Sequence, residues 1–170
     1  MTRFRMYVLL ALLVAGVKIL QAAVDATPLF FLGDSATYIQ SAVEGFLPIC
    51  RSFTYGWLIR WLALWPGTLD GLIGAQVLAG GVTAWLLGVL LIRFWAVRPI
   101  IAAAASLVFA FDPLQLLHER MVLAETFSLL LFAVQLALAC SYLERPRMVP
   151  VLLIAIVGIA LVSLRFVFIP

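Results

Sequence analysis

Runs of about twenty apolar residues recur along the whole chain, and they decide most of what it can fold into. A run of that length is what an α-helix needs to cross the hydrocarbon core of a bilayer. Such runs cover residues 6–24, 71–92, 121–142 and 149–170. A further apolar piece, 99–111, is too short to cross at about 1.5 Å per residue unless it continues past Asp112, to about residue 117. Hydrophobic residues make up 66% of the chain and charged ones 11%, with mean hydropathy +1.20. A soluble domain is about half apolar and about a quarter charged, so lipid is the solvent for most of this protein. The expected fold is all-α: a polytopic membrane helical bundle of about five transmembrane helices in a single domain (1–170), with a long loop over residues 25–70.

The first run follows Arg3 and Arg5, and Ala22 and Ala23 stand where a signal peptide would be cut. Its length and the spans after it favour an uncleaved first helix. Lys18 interrupts that helix near its far end. Its stem can snorkel to the interface, or its ammonium can meet a lipid phosphate.

Arg3, Arg5, Arg93, Arg98, Arg145 and Arg147 fall on one side of this topology, which the positive-inside rule makes cytoplasmic. The net charge of +3 and pI near 9.2 are explained by these ends, and nothing in their pattern points to nucleic acid. Cys50 and Cys140 fall on opposite sides, so they should not pair. Asp25, Asp34, Glu44, Asp70, Asp112, Glu119 and Glu125 gather at the other side. Acids contribute little to topology, so their clustering calls for a different explanation.

Within the long loop, Gly33 allows a tight turn, and Asp34 or Ser35 can cap a helix starting at about Ala36. Further on, Trp57, Trp61 and Trp65 recur every four residues, ending at Pro66-Gly67. Tryptophan favours the headgroup zone, so this stretch is expected to lie in the interface as an anchoring helix. In the second span Gly74, Gly81 and Gly88 recur at intervals of seven, a stripe that lets helices approach closely.

Asp34 in a turn, Asp112 at a helix break before Pro113, and Glu125 inside a span are the acids hardest to assign to solvated surface. Glu125 either serves a site or pairs with Arg120 or Arg165 to fasten spans. On a continuous helix it would share a face with His118 and Met121. A carboxylate at the headgroup level can act as general base on a hydroxyl. Arg51, Arg60, Arg120 and Arg165 can fork onto a phosphate. Asp34, Asp112, His118 and Glu119 offer oxygen and nitrogen donors for a divalent metal, without close ligand spacing. No phosphate-binding glycine loop, zinc helix motif or nucleophile with a catalytic partner is present.

The order of short motifs resembles a known family. A first span is followed by Gly33-Asp34-Ser35-x-x-Tyr38 and then by Arg51-Ser52-x-x-Tyr55. Asp112-Pro113, Leu123-Ala124-Glu125 at the opening of a span, and Leu164-Arg165 at the end of one come later. This order is similar to the N-terminal part of integral-membrane glycosyltransferases of the GT-C fold, in the protein mannosyltransferase and lipid-linked aminoarabinose transferase branch. It covers nearly the whole chain, its specificity lying in order and topology. Gly56 follows Tyr55 where many members have proline, and Ser35 stands beside Asp34 where some have a second acid.

The resemblance implies transfer of a sugar from a polyprenyl-phosphate donor to an acceptor at the extracytoplasmic face. Asp34 would be the catalytic base and Asp112 the second carboxylate. Arg51, Tyr55, Tyr38, Glu125 and Arg165 would shape the donor or acceptor cleft. The family's enzymes are several times longer, so a larger enzyme, or a second polypeptide supplying further helices, is the expected context. Two other readings stay open. One is a non-catalytic fragment or assembly factor that keeps the fold; the other is a transporter or ion-pathway subunit using Asp34, Asp112 and Glu125.

Overall fold

The computed structural model describes residues 3–48 and 51–165, and every regular element in it is a helix. Helix α1 spans Arg3–Val24, α2 Asp34–Glu44 and α3 Phe53–Ile59, which runs on into a π-helical turn at Arg60–Leu64. Then come α4 (Asp70–Phe94), α5 (Pro99–Ala110), α6 (Pro113–Arg120), α7 (Glu125–Glu144) and α8 (Met148–Leu164).

Three helices, α1, α4 and α7, are long and apolar enough to cross a membrane, and this is a membrane protein. A fourth crossing exists if α5 and α6, bent by 51° at their junction, form one broken span. Among the described residues, three of the about five expected spans are helices long enough to cross alone, and a fourth is the broken α5–α6 pair. The last expected span, 149–170, is helical from Met148 to Leu164, and its remainder lies outside the described residues.

Helix α4 is the hub, packed against α1, α5, α6, α7 and the π turn. It has no polar stripe because neighbours or lipid surround it on every side, and both solvents are apolar. Gly80 and Gly88 make this possible. A Cβ on Gly80 would overlap the Glu119 carboxylate, and one on Gly88 would overlap Ser106 and Leu10. Gly74, in the expected heptad stripe, has nothing within 4 Å of that position. Close approach thus involves Gly80 and Gly88 rather than the whole stripe.

The break expected at Asp112 is present. Pro113 opens α6, and Asp112 caps it, one carboxylate oxygen accepting from the N–H groups of Leu114 (2.8 Å) and Gln115 (3.1 Å). At the far end of α6 the chain becomes extended at Met121 and pairs with Leu29 in an isolated parallel bridge. Leu29 N–H donates to Arg120 (2.8 Å), and Val122 N–H donates back to Leu29 (3.0 Å). Helix α7 consequently starts at Glu125, not at 121. The continuous helical face expected for His118, Met121 and Glu125 does not exist.

The long loop folds back over the Val24 end of the bundle. Gly33 takes the positive φ (+87°) expected of it, but neither Asp34 nor Ser35 caps α2. Ser35 instead accepts from Phe31 N–H and donates to the Val122 carbonyl (3.0 Å), fastening the turn to the 121–124 segment. Ser52 caps α3 and donates to the Ser163 carbonyl, tying α3 to the end of α8. Tyr55, Ile59 and Ala63 face inward, joining Tyr38, Leu72, Val122, Leu123 and Leu164 in the larger of two apolar clusters. The smaller one, Leu10, Val14, Ala84 and Ala110, lies deeper between α1, α4 and α5. Cys140 is a free thiol on α7; Cys50 lies outside the described residues.

Candidate functional site

Two ion pairs face one tyrosine where the loop meets the helix ends. Asp34, first residue of α2, pairs with Arg51, which lies just before the Ser52 cap. Glu125, first residue of α7, pairs with Arg165 at the end of α8 (3.2 Å). Both pairs are open to solvent, with side-chain exposures of 23% and 40% in the first and 20% and 43% in the second. An incoming anion or hydroxyl can therefore reach them. Glu125 Oε2 is buried and accepts no hydrogen bond among the described residues.

Tyr38, on α2 one turn beyond Asp34, lies within electrostatic reach of all four charges. Burial first, and then the Glu125 carboxylate, push its phenol above the usual range. Asp34 adds to the shift, and Arg51 and Arg165 oppose it. Its ring meets that of Tyr55 edge to face, centroids 4.8 Å apart, and Phe127 closes on Tyr55 from α7 at 6.2 Å.

Six residues expected from the sequence are thus brought together: Asp34, Arg51, Tyr38, Tyr55, Glu125 and Arg165. Tyr55 has a different position from the one expected. It is fully buried, its hydroxyl donating to Gln76 Oε1 (3.1 Å), so it supports Tyr38 from behind. Asp112 is not part of the group. Its carboxylate caps α6 at the kink, after only 12 residues of α5, or roughly 18 Å of helix. Nor do Asp34, Asp112, His118 and Glu119 assemble into a metal site: among the described residues no three His, Cys, Asp or Glu side chains lie together suitably.

A buried polar network behind this cluster was not foreseen. Gln76, in the second turn of α4, accepts from Tyr55 and donates to the carbonyls of His118 (2.9 Å) and Met121 (2.7 Å), where α6 ends. Lys18 turns inward instead of snorkelling. Its ammonium donates to both oxygens of Glu119 (2.8 and 3.0 Å) and to the Ala110 carbonyl (3.1 Å). Gln115 adds a bond to the same carboxylate (3.1 Å), and Gln21 a second one to Ala110 (3.1 Å). The kink before Pro113 leaves Ala110 without its helical donor, and α1 supplies two. Polar residues inside apolar runs were the available signal, but their partners are far away in sequence.

No protein-family model, curated protein or solved structure matches this chain.

Proposed function

We propose that this chain is a membrane glycosyltransferase unit, or the N-terminal portion of one, that takes a sugar from a polyprenyl-phosphate donor. The observation that carries the reading is the convergence of Asp34–Arg51 and Glu125–Arg165 on Tyr38. Acids and guanidiniums at one mouth match a reaction that needs a base for a hydroxyl and cations for a departing phosphate.

In this reading the donor phosphate draws Arg51 and Arg165 away from their carboxylates. Asp34, released, accepts the proton of the acceptor hydroxyl as its oxygen bonds to the anomeric carbon. The bond from that carbon to the phosphate oxygen breaks, and the departing charge rests on the two arginines. Glu125 is left to receive a sugar hydroxyl through the oxygen that Arg165 gives up. Asp112 has no part in these steps. Arg3, Arg5, Arg93, Arg98, Arg145 and Arg147 orient the N-terminus to the cytoplasm, which puts the cleft on the extracytoplasmic side of a plasma or bacterial inner membrane.

The test is transfer from radiolabelled polyprenyl-phosphate mannose and its pentose counterparts by protein in lipid nanodiscs. Asp34→Asn should abolish transfer while insertion and polyprenyl-phosphate binding persist. Wild-type transfer rates in that variant would overturn the assignment of Asp34. The pairing of each carboxylate with an arginine also favours a second reading, a scaffold that binds without chemistry. Polyprenyl-phosphate binding with no transfer from any donor would select it.

A further inference from the structure

On the side of α3 away from the bundle, a groove of about 810 Å³ runs between α2 and the π turn. Val43, Trp57, Arg60, Trp61, Leu64 and Trp65 line it. The three tryptophans are 64%, 62% and 80% exposed, an extent of aromatic surface that water alone does not favour. Trp61 and Trp65 stand edge to face at 5.9 Å, which makes one wall a fixed aromatic ledge.

Arg60 is the only cation in the lining. It makes no salt bridge among the described residues, unlike Arg51, Arg93, Arg120 and Arg165, which each have a carboxylate. Its guanidinium lies near the C-terminus of α2, 3.9 Å from where a Cβ on Gly45 would stand. The carbonyl end of that helix favours a cation there, and among the described residues it takes no hydrogen bond from the guanidinium, whose donors face the groove. The groove lies on the loop at the Val24 end of the spans, the level at which tryptophan-rich segments favour headgroups.

We propose that this groove seats the phosphate headgroup of an anionic phospholipid from the leaflet at the Val24 end. Arg60 takes the phosphate, and the tryptophans hold the glycerol and upper acyl carbons. Charge complementarity and the interfacial preference of tryptophan select this occupant over a zwitterionic lipid or a soluble protein. The site is separate from the Asp34–Glu125 cleft and stands whether or not that cleft transfers sugars.

The experiment uses full-length protein in nanodiscs of phosphatidylcholine containing brominated phosphatidylglycerol or brominated phosphatidylcholine. Tryptophan quenching is read as the difference between wild type and the Trp57→Phe/Trp61→Phe/Trp65→Phe variant. Wild type should show phosphatidylglycerol preferred about fivefold, the effect of one basic residue at a lipid surface. Arg60→Gln should remove the preference, Arg60→Lys should keep most of it, and Arg93→Gln should leave it unchanged. Equal quenching by both lipids in wild type would overturn the proposal, as would a preference that survives Arg60→Gln. So would tryptophans quenched by aqueous acrylamide and by neither lipid, the result expected of a face that meets water, a glycan or a protein partner.

Discussion

Lys18 and Glu119, separated by 101 positions in the sequence, form an ion pair of 2.8 Å in which both side chains are at least 95% buried. Removing one partner leaves an uncompensated charge, whereas replacing both leaves an apolar seam. Lys18→Met alone should destabilise the protein by about 3–5 kcal/mol, and Lys18→Met/Glu119→Leu should recover most of that loss. Thermal unfolding in detergent measures both, and a double variant as unstable as the single would show that the pair does more than neutralise itself.

Gly80 makes room for that carboxylate and Gly88 for Ser106 and Leu10, whereas Gly74 faces open space. Gly80→Ala should cost at the top of the roughly 1–3 kcal/mol range of overpacking, with Gly88→Ala also costly. Gly74→Ala should be neutral, or stabilising by up to about 1 kcal/mol through helix propensity. Unfolding midpoints for the three variants give the ranking directly.

Tyr55→Phe takes away the hydroxyl that donates to Gln76 and leaves a buried acceptor without a partner. A loss of about 1–3 kcal/mol is expected. Gln76→Leu should cost more, because it also strips donors from the His118 and Met121 carbonyls that anchor the end of α6. Hydrogen exchange should then open the 118–124 segment before the spans.

Tyr38 should ionise above pH 10, and its tyrosinate absorbance should vanish in Tyr38→Phe. The folded protein holds this proton more tightly than the unfolded chain. Its contribution to stability is therefore complete below pH 10 and is lost as pH rises through the raised value. Glu125→Gln should bring the ionisation down and Arg165→Gln should push it further up. Unchanged titration in both would mean that the two ion pairs do not face this phenol.

The helices and the composition of the cleft were legible because both are local. Apolar runs announce spans. Gly33-Asp34 and Arg51-Ser52 sit in turns that return their side chains to the same end of the bundle. Caps were less legible: Asp34 and Ser35 have the right chemistry, yet tertiary partners, Arg51 and Val122, claim their side chains. Ser52 and Asp112 do the capping instead. Glu125 looked like a residue embedded in a span because nothing local signals that Leu29 pairs with Met121 and ends the helix pattern there. Lys18 was opaque for the same reason. A lone charge in an apolar run looks the same whether it escapes to the interface or waits for an acid far along the chain.

That wait has a duration. The Lys18 helix leaves the ribosome 101 residues before Glu119 does, which at roughly 5–20 residues per second is about 5 to 20 seconds of synthesis. Over that interval the ammonium lacks the carboxylate it is finally paired with. Bending its stem toward the headgroups, the posture the sequence alone suggests, is then a property of the newborn helix, given up once α6 arrives.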